Sequence, residues 1–153
     1  MDFSVRKVAE LLNVLGTVTD VLKFFLTAIA GVSLFVGGVG IMNIMLIAVK
    51  EKTREIGLRK AMGATSKDIR NQFLAETIAL ALIGGIIGII IGTIVSGIVA
   101  FVVRSLGYEY VWSISPLAMF IAVLISASIG LIFGLLPAKR ASHLSPIEAL
   151  RYE

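Results

Sequence analysis

The sequence predicts an all-α integral membrane protein with three transmembrane helices, on two observations. Of its 153 residues, 58% are hydrophobic and 16% are charged, against about 25% charged residues in an ordinary soluble domain. The charges are also confined to blocks, leaving three runs without Asp, Glu, Lys or Arg at 24–49, 77–103 and 110–138. Each run exceeds the roughly 20 apolar residues that cross a ~30 Å hydrocarbon core. We therefore expect transmembrane helices at 24–49, 77–103 and 116–138.

The distribution of basic residues predicts the orientation of these helices. The connecting segment 50–76 and the tail 139–153 carry ten Lys and Arg residues, whereas segment 1–23 and the loop 104–115 carry four. Because a basic excess marks the cytoplasmic side, we expect 50–76 and 139–153 in the cytoplasm and the other two segments outside it. The outer loop also holds the aromatic residues typical of a membrane interface, namely Tyr108, Tyr110 and Trp112.

The N-terminal segment 1–23 has the apolar spacing of a helix that packs on a partner. The residues that form this seam are Val5, Val8, Leu12, Leu15, Leu22, Leu26 and Ile29. A helix over 2–49 would be roughly 70 Å long at 1.5 Å per residue, so we expect its outer part to stand above the membrane as a stalk. An amphipathic helix on the outer surface is the alternative. Since 1–23 lacks the pattern of a signal peptide, we expect the chain to be the C-terminal part of a larger polypeptide or one product of a split gene.

Small residues recur at every fourth position in the second and third apolar runs, which predicts close helix packing. The packing residues are Gly84, Gly88 and Gly92 in the second run and Gly130 and Gly134 in the third. In the first run, Asn43 is expected to make an interhelical hydrogen bond, with a substrate contact as the less favoured alternative. Ser115 and Pro116 predict the start of the third helix, and Pro137 predicts its end or a kink.

Several kinds of chemistry have no support in the sequence. The three predicted spans contain no ionisable side chain, which proton relays and ion pathways need. There is no cysteine, and the single histidine, His143, has no partners at metal-ligand spacing. No nucleotide-binding or catalytic motif is present either. We therefore expect a chain that is not an enzyme and binds no metal or cofactor of its own, and whose basic residues reflect topology and not nucleic-acid binding.

The segment 50–76 has the pattern of a short amphipathic helix, a turn and a second helix start. Glu55–Met62 is predicted to be helical and to end at Gly63, with Leu58, Ala61 and Met62 on one face. Glu55 and Arg59 have the spacing of a favourable i, i+4 ion pair, and Thr65 with Asp68 resembles a capping box. Two interpretations remain at this point: a basic helix that rests on anionic headgroups, or a coupling helix held between two spans and pressed by a cytoplasmic partner.

Two motifs resemble the MacB/FtsX-like family of ABC-transporter permeases, and the MacB type most. The first is TREIGLRKAMGAT at Thr53–Thr65, followed by Gln72, Phe73, Leu74 and Glu76. The second is the tail GLLPAKRASHLSPIEALRYE at Gly134–Glu153. The resemblance implies a permease with four membrane helices and an outer domain after the first, of which this chain matches the last three helices. It further implies a prokaryotic cell membrane, a second permease copy and a cytoplasmic ATPase partner that binds ATP and Mg²⁺.

In that family the cytoplasmic loop contacts the ATPase, whose cycle moves the helices and stalk by mechanotransmission. The coupling residues implied for this chain are Glu55, Ile56, Gly57, Leu58, Arg59, Lys60, Ala61, Met62, Gly63 and Ala64. We therefore expect a MacB-like permease portion that couples ATP hydrolysis to efflux or other work outside the cytoplasm. The alternatives are an FtsX-like regulator that transports nothing and a helix-bundle scaffold without an ATPase. No substrate is implied, because the family's substrate-recognising parts lie mostly outside this chain.

Overall fold

The computed structural model describes residues 2–145 and 149, and this part of the chain is helical with short connections and contains no strand. Three helices are long and apolar enough to cross a membrane, and a short fourth helix lies between the first two of them. These findings confirm the predicted all-α class. In chain order the helices are α1 at Asp2–Glu51, α2 at Thr53–Ala61, α3 at Ser66–Ser105 and α4 at Pro116–Ser142.

The contacts divide the chain into two units, Met1–Gly37 and Gly38–Glu153. In the first unit the described side chains of the predicted seam are exposed, for example Leu12 by 63% and Leu26 by 66%, while Val5 lies outside the described side chains. Four described hydroxyls of this unit, those of Thr17, Thr19, Thr27 and Ser33, donate to the carbonyl four residues earlier, as Thr19 does to Leu15 O over 2.8 Å. The packing partner that the seam implies stays a prediction.

In the second unit, α3 and α4 approach each other closely at two glycines of α4. A Cβ added to Gly134 would lie 2.8 Å from Thr77 Cβ, and one added to Gly130 would lie 2.9 Å from Ile78 Cα. One turn further along, Ser126 donates a hydrogen bond of 2.5 Å to Ala81 O. The two helices therefore approach each other at a distance that only glycine permits. The Ser126 hydroxyl is hydrogen-bonded across the contact and is not left without a partner.

The glycines predicted as the packing row of α3 lie beside this contact. A Cβ added to Gly84, Gly88 or Gly92 would meet nothing within 4 Å, whereas one added to Gly85 would lie 2.5 Å from Ser126 Oγ. Consecutive residues point about 100° apart around a helix, so the α3–α4 contact uses the neighbouring row. Close packing at the three predicted glycines stays a prediction.

The ends of α4 differ in how well the sequence predicts them. Ser115 accepts a hydrogen bond from Ala118 N and Pro116 occupies the first helical position, as expected. At the other end α4 continues through Pro137 to Ser142, so of the two predicted effects of this proline the helix end does not occur, and the kink stays a prediction. A proline removes one backbone donor, but the chain on either side of Pro137 remains helical.

Candidate functional site: the junction around α2

The buried apolar cluster of the second unit lies where α2 meets the ends of the three long helices. By contrast, large apolar residues along the long helices are mostly exposed, as expected for side chains that face lipid, for example Ile90 by 53% and Phe120 by 61%. Burying an Ile or Phe side chain contributes about 1.5–3 kcal/mol. The buried members are Met45 and Val49 of α1, Ile56 of α2, Ile69 and Phe73 of α3, and Ala138 and Ala141 of α4.

The inner face of α2 is formed by small or apolar residues. Ile56 is 2% exposed, and Thr53 donates to Val49 O over 2.9 Å. Gly57 lies against Ala149, because a Cβ at position 57 would come within 2.6 Å of Ala149 Cβ. Ala149 itself is 1% exposed. The glycine therefore lets a residue of the C-terminal tail pack directly on the backbone of α2.

Lys60 connects the last turn of α2 to the end of α4. Its Nζ donates to Ser142 O over 2.6 Å and to Leu144 O over 2.9 Å. A third hydrogen bond reaches Ser66 Oγ in the first turn of α3, over 3.2 Å. The last carbonyls of a helix lack intrahelical donors and carry partial negative charge. A lysine ammonium at this end therefore supplies both a hydrogen-bond donor and a compensating positive charge. Lys60 thus joins α2 to both neighbouring helices.

Arg59 makes a second polar connection, from α2 to α3. Its Nη1 donates to Gln72 Oε1 over 2.7 Å, and its Nη2 bonds Glu55 Oε1 over 2.5 Å. The predicted ion pair between Glu55 and Arg59 is therefore present. Near the start of α2, Lys52 pairs with Glu76 over 3.4 Å. These groups are partly exposed, so each ion pair contributes at most about 1 kcal/mol.

The turn from α2 into α3 follows the predicted pattern. Gly63 has a φ of 105°, a conformation that other residues rarely adopt. Thr65 and Asp68 then form the predicted capping box, with each side chain accepting a hydrogen bond from the other's backbone N–H. The hydrogen bonds from the Thr65 side chain and backbone lower the pKa of the Asp68 carboxyl below its ordinary value.

The outer face of α2 presents apolar side chains to its surroundings. Leu58 is 52% exposed and Met62 is 74% exposed, and Ala61 between them is exposed as well. Exposed apolar residues that cluster beside charges are typical of interaction surfaces. We call Leu58, Ala61 and Met62 the outer face.

The ten residues predicted to couple to a partner fall into two groups in the structure. Ile56 and Gly57 are buried, and Arg59, Lys60 and Ala64 are half-buried, all in the junction; the other five are exposed, namely Glu55, Leu58, Ala61, Met62 and Gly63. Their role in coupling stays a prediction. Sequence reasoning missed the bonds of Lys60 to α4 and the place of Ala149, which no local pattern signals because the partners lie more than 80 residues apart.

Two further residues considered in the sequence, Asn43 in α1 and His143 after α4, are not part of the buried cluster. Asn43 is exposed and its side chain makes no hydrogen bond to the described residues, so its interhelical bond stays a prediction. His143 is exposed just after α4. No group of residues that could hold a metal ion occurs in the described part of the chain.

A family model for the C-terminal part of FtsX-like permeases matches residues 27–146, a stretch that contains α2, α3, α4 and most of the junction. The chain belongs to the FtsX-like permease family. The resemblance predicted from the two motifs is thereby confirmed. Membership identifies this chain as a portion of an ABC permease, which agrees with its three helices that are long and apolar enough to cross a membrane.

Curated relatives of this FtsX-like chain carry ABC-transporter names. It is 48% identical over 151 residues to the uncharacterized ABC transporter permease YknZ of Bacillus subtilis (strain 168), covering 99% of this chain and 37% of that protein. It is 46% identical over 151 residues to the macrolide export ATP-binding/permease protein MacB of Bdellovibrio bacteriovorus, covering 99% and 22%. For the protein of that name from Shigella flexneri the identity is 41% over 152 residues, covering 99% and 23%. The chain thus spans well under half the length of these relatives.

Proposed function

We propose that this chain is the membrane portion of a MacB-like ABC permease, and that it couples ATP hydrolysis by a cytoplasmic ATPase to motion of its helices and N-terminal stalk. The observation that supports this most is that α2 has one buried side and one exposed apolar side. One side of α2 is built into the ends of all three long helices, and the other side exposes Leu58 and Met62. A partner that presses on the outer face therefore acts on three helix ends at once.

The contacts of α2 suit the transmission of displacement. Lys60 holds the end of α4 through two backbone carbonyls, and Arg59 holds α3 through Gln72. Packed elements with many short contacts move together more readily than they deform. The predicted spans contain no ionisable group, which favours mechanical work over conduction of ions or protons.

The proposal includes the parts and the setting that the chain needs. ATP and Mg²⁺ are bound by the ATPase partner, and this chain binds no cofactor. A second permease copy and an upstream first helix with its outer domain complete the membrane assembly. Segment 50–76 and the tail face the cytoplasm of a prokaryotic cell, and segment 1–23 is the outer stalk.

Export is favoured over a purely regulatory role by the names of two relatives, which are described as macrolide export proteins. A regulator of the FtsX kind would use the same device at α2 to act on an outer enzyme or sensor. We propose no substrate class.

Co-purification with the ATPase tests the coupling surface. The chain is produced together with its upstream half and its cognate ATPase, and the double variant Leu58→Ser, Met62→Ser is compared with the wild type. Loss of two exposed apolar anchors should weaken ATPase binding at least tenfold, since central anchors each contribute more than 1 kcal/mol.

The matched control removes apolar area from the opposite side of the protein. Leu106 and Val111 are 69% and 85% exposed between α3 and α4, and the variant Leu106→Ser, Val111→Ser should bind the ATPase as the wild type does. Unchanged ATPase binding by the variant at positions 58 and 62 would sink the coupling proposal.

A further inference from the structure

A cavity of about 250 Å³ lies at the junction, between the end of α1, the start of α2, the end of α4 and Ala149 of the C-terminal tail. Leu46, Val49 and Leu144 form apolar parts of its wall, and Lys50, Thr53 and Arg140 contribute polar groups. The Thr53 hydroxyl already donates to Val49 O. The cations of Lys50 and Arg140 are therefore the donors that this wall offers to a ligand.

The two basic residues mark the depth of the cavity in the membrane. Lys50 is the first charged residue after the uncharged run 24–49, and Arg140 is the second after the uncharged run 110–138. Charged side chains that flank a span lie at the headgroup level, and apolar side chains one turn before them lie at the level of the acyl chains. The cavity therefore spans the boundary between headgroups and hydrocarbon.

The charge of the cavity is not balanced by the described residues. Lys50 and Arg140 are exposed, and the ion pairs found in the described part of the chain involve other residues. Glu51 follows Lys50, but consecutive helical residues point about 100° apart, and Glu51 does not line the cavity. A ligand that supplies an anion would pair with both cations.

We propose that this cavity binds an anionic phospholipid. Arg140 and Lys50 hold the phosphate, an anion that suits guanidinium and ammonium donors. The glycerol and the first methylene groups lie along Leu46 and Val49, and the rest of each acyl chain stays in the bilayer. The side of the membrane with the basic excess is the side whose leaflet carries anionic lipid, so the ligand is present where the cavity opens.

The combination of charge and apolar wall identifies a lipid and not a free anion. Two basic side chains alone would suit inorganic phosphate equally well, but phosphate would leave the apolar wall in contact with water. A phospholipid satisfies the cations and covers the wall in one molecule. Because the cavity is bounded by α1, α2 and α4, the bound lipid contacts the base of α2 and two long helices together.

Lipid binding to the purified chain tests the proposal. The 153-residue chain in detergent is titrated with dioleoylphosphatidylglycerol and with dioleoylphosphatidylcholine, and bound lipid is counted by native mass spectrometry. The wild type should prefer the anionic lipid. The variant Lys50→Gln, Arg140→Gln should lose about twenty-five-fold in affinity for it, since each basic residue near a membrane surface contributes enough for about a fivefold change.

Two further variants distinguish binding in the cavity from a general attraction of anionic lipid by positive charge. Lys67→Gln, Arg70→Gln removes two exposed cations from the start of α3, away from the cavity, and should keep the wild-type preference. Leu46→Trp fills the cavity without changing the charge and should lose the preference. Circular dichroism and gel filtration establish that each variant is folded before its lipid binding is compared.

Other outcomes overturn the proposal. If both cavity variants still preferred the anionic lipid as the wild type does, the lipid would bind elsewhere. If the variant at positions 67 and 70 lost as much affinity for the anionic lipid as the variant at positions 50 and 140, net charge alone would explain the effect. Competition by glycerol 1-phosphate at the concentration of the lipid would identify a soluble anion as the ligand. If anionic lipid bound only to a chain lacking residues 150–153, the tail would be the occupant.

Discussion

At the scale of single residues, Lys60 determines how the junction is held together. Its ammonium donates to Ser142 O and Leu144 O at the end of α4, 82 and 84 residues away along the chain. The family resemblance assigns Lys60 to the surface that couples to a partner. Charge reversal at Lys60 would therefore disturb the permease itself before it disturbed any partner, and the same reasoning applies to Arg59 with its bond to Gln72.

Removing the ammonium of Lys60 should destabilise the junction. Lys60→Met keeps most of the aliphatic stem and leaves two carbonyls of the α4 end without this donor. Hydrogen bonds to a charged group contribute about 1.5–3 kcal/mol each, and partial exposure here reduces the combined loss to roughly 1–3 kcal/mol. The measurement is the midpoint of unfolding by denaturant in detergent.

Lys67→Met is the matched control, because Lys67 is an exposed lysine in the first turn of α3. It should change the free energy of unfolding by less than about 0.5 kcal/mol. Equal effects of the two substitutions would show that the bonds of Lys60 contribute nothing to stability.

At the scale of elements, the capping box fixes where α3 begins and hence where α2 must stop. Thr65 and Asp68 exchange side-chain and backbone hydrogen bonds, and Gly63 supplies the left-handed turn before them. Because the bonds favour the ionised carboxylate, they lower the Asp68 pKa in the folded protein. The contribution of this carboxylate to stability is therefore present above the ordinary pKa of 3.8 and is lost as pH falls through the lower folded value.

Titration of the Asp68 carboxyl by carbon-13 NMR in detergent tests the cap. Its midpoint should lie below 3.8 in the wild type and should rise in Thr65→Ala, which removes the hydroxyl. Thr65→Ser keeps a hydroxyl and should preserve the lowered midpoint. A midpoint that is the same in all three proteins would contradict the capping box.

The sequence predicts the elements better than the contacts between them. The apolar runs and the capping residue Thr65 depend only on residues close together in the chain. The structure confirms the long apolar helices and the capping box that they predict. The contact row of α3 could not be chosen from the sequence, because two rows of four-residue spacing run side by side: Thr77, Ala81 and Gly85 in one, Gly84, Gly88 and Gly92 in the other. Only the partner decides between them, and within this chain α4 meets Gly85.

The same limit applies to the junction. The outer face of α2 was predictable because Leu58, Ala61 and Met62 share one face by local spacing. The burial of Gly57 under Ala149 depends on a residue that follows two further long helices. Contacts of that separation leave no periodic signal in either segment.

At the scale of the whole molecule, the proposed orientation places α2 in the cytoplasm and the loop between α3 and α4 outside. The chain contains no cysteine, so a single introduced thiol reports on one position without background. Met62 and Val111 are 74% and 85% exposed and lie in the two connections that the orientation places on opposite sides.

Labelling of intact cells with a membrane-impermeant maleimide tests this orientation. Val111→Cys should react in intact cells, and Met62→Cys should react only after the membrane is opened, because a charged reagent does not cross the hydrocarbon core. The wild type should remain unlabelled under both conditions. The reverse pattern of labelling would refute the assignment of sides.

The contact between Gly57 and Ala149 has a consequence for biosynthesis. A ribosome completes the segment that contains Gly57 long before it reaches Ala149, Ser142 and Leu144, which supply the last contacts of α2. Until then Gly57 lacks the residue that packs on it, and Lys60 lacks two of its three acceptors. The contacts that fix the position of α2 are therefore complete only when the final long helix and Ala149 are in place.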